Sequence, residues 1–146
     1  MSISFSHVGI CVSDLERSLR FYCQGLGFEP VASHQIGDEF SVLMEVEDVK
    51  LESRMIARDG VTLELLAFES PGHTGDGRRR PMNRLGLTHL SIRVDDVDGV
   101  AATIEELGGT VVRTTRTTMD FPGARLDFVY CTDPDGVRVE LMDLPG

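Results

Sequence analysis

The chain is short of positive charge, of cysteine and of long apolar runs, and each shortage excludes something. Lys and Arg number 14 against 24 Asp and Glu, a formal net charge of −10. That balance leaves no broad basic face for nucleic acid or an anionic membrane surface. No segment approaches the roughly 18 consecutive apolar residues of a membrane span. The opening Met1-Ser2-Ile3-Ser4-Phe5-Ser6-His7 has neither a basic region nor an apolar core, so no signal peptide is expected. Cys11, Cys23 and Cys131 are an odd three in no Cys-x-x-Cys spacing, which reads as reduced thiols in a cytoplasm rather than a disulfide framework.

What is present is an ordinary globular composition, 41% hydrophobic and 26% charged over 146 residues. It suffices for one domain, or for two small halves sharing a core. The halves are visible as a repeat. His7-Val8-Gly9-Ile10-Cys11-Val12-Ser13-Asp14-Leu15 resembles His89-Leu90-Ser91-Ile92-Arg93-Val94-Asp95-Asp96-Val97. Asp59-Gly60-Val61-Thr62-Leu63-Glu64-Leu65-Leu66 resembles Asp135-Gly136-Val137-Arg138-Val139-Glu140-Leu141-Met142. We therefore expect a single domain over 1–146, with module 1 at about 1–70, a Gly-rich loop at 71–86 and module 2 at about 87–146.

Each module opens with strand-like alternation and continues into a helix. Ser13-x-x-Glu16 fits a capping box for the first helix, with Gly25 as its stop. The second helix is predicted over roughly Val97–Leu107, ending at Gly108-Gly109. Strands are predicted at about 28–36, 50–58 and 62–68, then at 110–114, 125–132 and 138–143. Phe40–Val46 is ambiguous and fits a short helix. The expectation is an α+β fold: two β-α-β-β-β modules forming a curved mixed sheet around a groove, helices outside.

Strand parity then singles out four residues. His7 and His89 oppose the apolar faces of their opening strands, as Glu64 opposes Leu63 and Leu65 and Glu140 opposes Val139 and Leu141. A lone strand His or Glu is usually structural or solvated. Four of them recurring as equivalent pairs point instead to a divalent-metal site, because coordination offsets the cost of burying a carboxylate. Nickel, cobalt, manganese, zinc and iron are all compatible with His7, Glu64, His89 and Glu140.

These residues resemble the vicinal oxygen chelate superfamily, which includes glyoxalase I, methylmalonyl-CoA epimerase and extradiol dioxygenases. His7-Val8-Gly9-Ile10 with Phe21-Tyr22 and Leu26-Gly27-Phe28 is similar to the glyoxalase opening. Leu87-Thr88-His89-Leu90-Ser91 and Asp133-Pro134-Asp135-Gly136 with Glu140 resemble the start and end of the second module. Thr88 departs from the small residue or second His common in glyoxalases and epimerases. The resemblance implies a metal-dependent isomerase, epimerase or lyase that transfers a proton through an enolate held on the metal. By that analogy the base is Glu140 or Glu64, or in an epimerase-like site Glu47, which lies in the acidic run Glu45-Val46-Glu47-Asp48.

Two other activities belong to the same superfamily. An extradiol Fe(II) dioxygenase would carry a further His before Tyr130-Cys131-Thr132-Asp133-Pro134, and Met119–Arg125 has none. A non-catalytic small-molecule binding or resistance protein commonly loses the metal ligands that this chain keeps. Of the remaining histidines, His73 lies in the Gly-rich loop, and His34 fits either an outer strand surface or the groove. For substrate, parity puts Arg93 and Arg138 on the groove face, and Arg79 stands within Arg78-Arg79-Arg80, a run able to clamp an anion. The resemblance also implies a homodimer acting on a small molecule.

Overall fold

The computed structural model describes residues 1–145 and divides into two compact units, one covering Met1–Gly75 and the other beginning at Asp76. In the first unit β1 (Val8–Cys11) leads to α1 (Leu15–Leu19), then β2 (Glu29–Ile36), a short α2 (Ser41–Met44), β3 (Lys50–Arg58) and β4 (Val61–Ser70). The sheet order is β1-β4-β3-β2, with β1 parallel to β4 and the other neighbours antiparallel. The second unit repeats the plan with β5 (Leu90–Arg93), α3 (Val97–Glu106), β6 (Thr110–Phe121), β7 (Ala124–Thr132) and β8 (Arg138–Asp143), ordered β5-β8-β7-β6. Both are the expected β-α-β-β-β module. No helix among the described residues is long and apolar enough to cross a membrane.

The alternation read from the sequence decides which face each helix covers. In the first unit Ile10, Ile56, Leu63 and Leu65 are buried, together with Leu15, Phe21, Tyr22 and Leu26 of the helical segment. The Phe21 and Tyr22 rings meet edge to face at 5.0 Å. In the second unit Val97, Ala101 and Ile104 form the helical stripe, and Val129, Cys131, Val139 and Leu141 form the buried sheet face. Burial pushes the Cys131 thiol up to about 11. The opposite face of each sheet carries the polar residues.

Several local expectations need correction. The cap of α1 is Asp14, whose Oδ1 accepts from the Arg17 N–H at 3.0 Å, and not Ser13. Ser13 Oγ instead accepts from the Arg17 guanidinium at 2.8 Å. Asp96 caps α3 in the same way, accepting from Gly99 N–H at 2.9 Å. A side chain at 99 would bring its Cβ within 2.1 Å of Asp96 Oδ2, so glycine there keeps the cap. The first helix does reach Gly25, but as a wider π-helical turn over Arg20–Gly25. Strand β6 runs seven residues past the expected 114, with a register shift between Val112 and Thr117. Its outer half is polar and threonine-rich, so it lacks an apolar face that alternation would reveal.

The repeated Asp-Gly motif makes two different turns. Asp59 and Gly60, with φ of 50 and 78°, join β3 directly to β4 as a two-residue hairpin of positive-φ residues. Asp135 and Gly136 lie inside a longer connection between β7 and β8. There Asp133, only 2% exposed, accepts from the N–H groups of Asp135 and Val137 through Oδ1, each at 2.9 Å. Replacing Asp133 by Ala strands both donors. At roughly 1–3 kcal/mol for each buried group left unmade, Asp133→Ala should cost about 2–4 kcal/mol in urea unfolding. Asp14→Ala, which removes one exposed cap, should cost about 1 kcal/mol.

Candidate functional site

In the first unit His7 stands one residue before β1, and Gly9 of β1 is registered against Glu64 at the middle of β4. His7 Nε2 lies 3.7 Å from Glu64 Oε1, and the two side chains are 35% and 19% exposed. The other imidazole nitrogen, Nδ1, is 2.8 Å from Ser6 Oγ. Glu64 Oε2 accepts a 2.8 Å hydrogen bond from Ser53 Oγ on β3, a fully buried hydroxyl.

The second unit repeats the pair with different surroundings. His89 Nε2 lies 4.0 Å from Glu140 Oε1, and the side chains are 25% and 20% exposed. Here Nδ1 is 2.9 Å from Thr88 Oγ1. Ser91 Oγ, from the register-paired position on β5, donates to Glu140 Oε1 at 2.8 Å. Tyr130 stands opposite Glu140 on β7. The His89 ring meets Tyr130 edge to face at 5.4 Å, and the Arg138 guanidinium lies 5.3 Å above the same ring. Burial raises the Tyr130 phenol above its ordinary value, the Glu140 charge and hydrogen bond raise it further, and Arg138 opposes them.

The parity reading of the two pairs is thus realised within each unit. Neither carboxylate has a Lys or Arg ion-pair partner among the described residues. Two donors held about 2.1 Å from one ion lie at most about 4.2 Å apart. Both His–Glu separations, 3.7 and 4.0 Å, fall within that reach and are too long for a hydrogen bond. Among the described residues no group of three or more His, Cys, Asp or Glu side chains is gathered for a metal; each unit supplies a pair. A Ser or Thr hydroxyl on Nδ1 can accept its proton, which leaves the Nε2 lone pair directed at the carboxylate side.

The other candidates are scattered more widely. Glu47 is exposed on the bend before β3, between the positive-φ residues Glu45 and Asp48, with no ion pair or hydrogen bond among the described residues. Arg93 is exposed at the Met142 end of the β5–β8 pair, also without a hydrogen bond or ion pair among the described residues. Arg138 shares the Glu140 face and donates from Nε to Arg80 O at 3.0 Å. Arg79 lies on the loop beside it. His34 is register-paired with Ser53, which places it on the Glu64 face of the sheet. Ser6, Ser53, Ser91 and Tyr130 were not singled out from sequence. The sequence signal for the imidazole partners is a hydroxyl residue before each strand-start His, Ser6 before His7 and Thr88 before His89.

Comparison with known proteins agrees with this architecture. A family model described as the Glyoxalase/Bleomycin resistance protein/Dioxygenase superfamily matches residues 4–141. A 2-epi-5-epi-valiolone epimerase from an Actinomyces species is 30% identical over 153 aligned residues, covering 99% of this chain and 81% of that protein. A probable lactoylglutathione lyase of Vibrio cholerae serotype O1 is 27% identical, covering 93% of this chain and 87% of its own. The crystal structure of a glyoxalase family protein from Bacillus cereus superimposes with a TM-score of 0.82 at 19% identity, covering 100% of this chain and 97% of that one. At that identity it is a likeness of fold alone.

Glu140 helps hold the Tyr130 phenol above its ordinary value, so Glu140→Gln, which removes the charge, eases loss of the phenol proton. In metal-free protein the Tyr130 transition, isolated by subtracting the Tyr130→Phe spectrum, should move to lower pH. It should stay above the ordinary range, because burial persists. An unchanged titration would mean that Glu140 does not act on this ring.

Proposed function

This chain belongs to the glyoxalase/bleomycin resistance/dioxygenase superfamily, and from that premise we propose that it is a divalent-metal-dependent isomerase, epimerase or lyase that works by proton transfer. The observation behind this reading is the duplicated His–Glu pair, a carboxylate about four-fifths buried with an imidazole nitrogen 3.7 or 4.0 Å away and no Lys or Arg ion-pair partner among the described residues. A buried anion of that kind is costly unless a cation joins it. His7, Glu64, His89 and Glu140 would supply the ligands. When bound, the ion would polarise a substrate carbonyl and acidify the neighbouring C–H bond.

The residues around each carboxylate suggest different roles. Glu140 accepts from the Ser91 hydroxyl and faces the Tyr130 phenol across the strand pair, and both orient it to receive a proton. Tyr130 keeps its own proton at neutral pH, because burial and Glu140 oppose its loss. Glu64 is anchored by the buried Ser53 hydroxyl and faces Met55 across the strand pair, an environment suited to a fixed ligand. Glu140 is therefore the base of this reading and Glu64 its less mobile counterpart. Return of the proton to the opposite face of the same carbon is epimerisation, and return to the adjacent carbon is isomerisation. Ser6 and Thr88 orient the imidazoles through Nδ1. The same reading takes the protein as a cytoplasmic homodimer acting on a small molecule.

Titration calorimetry of chelator-treated protein with nickel, cobalt, manganese and zinc tests the ligand set. His7→Ala, Glu64→Gln, His89→Ala and Glu140→Gln should each weaken binding strongly. Thr88→Val, which removes only the imidazole's hydroxyl partner, should weaken it by about 10–100-fold. Deuterium uptake next to a carbonyl, followed by NMR across hemithioacetal, thioester and ketose substrates, should disappear in Glu140→Gln. Absence of any metal binding or metal-dependent thermal shift in the wild type would overturn the proposal.

A further inference from the structure

The second unit has a groove of about 500 Å³ that the proton-transfer chemistry does not use, lined by Arg78, Arg79, Arg138, Thr110, Thr132 and Gly136 among others. In a chain of net charge −10, three arginines border one concavity. Among the described residues only one of them has an acidic partner: Arg78 pairs with Asp76 at 3.7 Å. Arg79 has no hydrogen bond or ion pair among the described residues. Arg138 commits Nε to Arg80 O at 3.0 Å, and its terminal nitrogens have no acceptor there.

The loop carrying Arg79 is pinned on both sides of it. Gly136 has a φ of +88°, and a Cβ there would fall 2.2 Å from Gly77 O. The absence of a side chain at 136 is what lets the loop backbone lie against the β7–β8 connection. One residue beyond Arg79, Arg80 O receives the Arg138 bond. Arg79 is thus presented by a fixed stretch of backbone, which lowers the entropic cost of ligand capture. Below it, Thr110, Thr132 and Arg138 form one cross-strand row on β6, β7 and β8, registered Thr110 to Thr132 and Thr132 to Arg138. Thr132 is only 7% exposed.

This row lies on the same face as Glu140. Arg138 is two residues before Glu140 along β8, a spacing of about 7 Å. Tyr130 joins the two regions, with Arg138 over its ring and His89 at its edge. We propose that the groove is an anion subsite that takes a phosphate group of the substrate, held by Arg79 and Arg138 with hydroxyl donors from Thr110 and Thr132. Guanidinium forks take either anion, and the two threonine hydroxyls add donors beyond those that the two oxygens of one carboxylate need, which favours the larger oxygen set of a phosphate group. The inference rests on the proton-transfer reading for the placing of the reacting carbon near Glu140, but the subsite binds its anion independently of the metal.

The test is titration of the full chain with inorganic phosphate in the presence of chelator, at constant ionic strength, followed by amide NMR, with acetate as the competing probe. Saturable shifts should map to residues 77–80, 110, 132 and 138, and acetate should bind at least about tenfold more weakly. Arg79→Ala, an exposed loop change that leaves the core alone, and Arg138→Gln should each weaken phosphate by at least about tenfold while metal binding stays at the wild-type level. Glu140→Gln should lose metal and keep phosphate. Phosphate that never saturates, binds no better than acetate or ignores both arginine variants overturns the subsite. Loss of metal binding alone overturns only the reading on which it rests.

Discussion

A carboxylate set between two fully buried hydrophobes of a strand, with no Lys or Arg ion pair among the described residues, is the constraint around which each unit is arranged. Leu63 and Leu65 flank Glu64, Val139 and Leu141 flank Glu140, and all four hydrophobes are fully buried. Their burial fixes the strand's orientation, so the Glu must point to the other face, where hydroxyl groups and one imidazole meet it. A slip of one residue in the register would put the carboxylate into the core and the leucines into the polar face. The hydrophobic packing and the placement of the acid are therefore one decision.

The duplication gives the same pair two different settings. Gly9 and Ser91 occupy equivalent positions beside the two glutamates, as do Met55 and Tyr130. Glu64 takes its hydroxyl from β3 through Ser53, and Glu140 takes one from β5 through Ser91 and faces the Tyr130 phenol on β7. One module thus surrounds its acid with a thioether and a buried serine. The other surrounds it with a phenol, an arginine and an open groove. Such divergence suits two carboxylates that share a ligand role and differ in chemical duty. It also explains why the arginines matter on one side only: Arg138 has Thr62 as its counterpart in the repeat.

Much of the fold was legible in the chain because its signals are local. Alternation marked the buried faces, Gly and Asp-Gly marked the stops and turns, and the repeat located the His and Glu of each pair. The errors arose where equivalent sequence met a different backbone. Ser13-x-x-Glu16 matches a capping pattern, yet the repeat of Asp14 in Asp96 was the better guide to both caps. The two Asp-Gly motifs looked alike, and only one closes a two-residue hairpin. The polar outer half of β6 carries no periodic apolar signal, so its pairing to β7 could not be read from pattern.

By itself the sequence determined which residues share a strand face and which positions recur, because side-chain direction along a strand alternates with every residue. That was enough to select His7, Glu64, His89 and Glu140. Only the tertiary structure decided what touches them: Ser53 from β3, Tyr130 from β7, and the loop at 77–80 laid over Gly136. Those contacts depend on register between segments distant in the chain, and register is set by packing and loop length together, a physical quantity that no single segment carries.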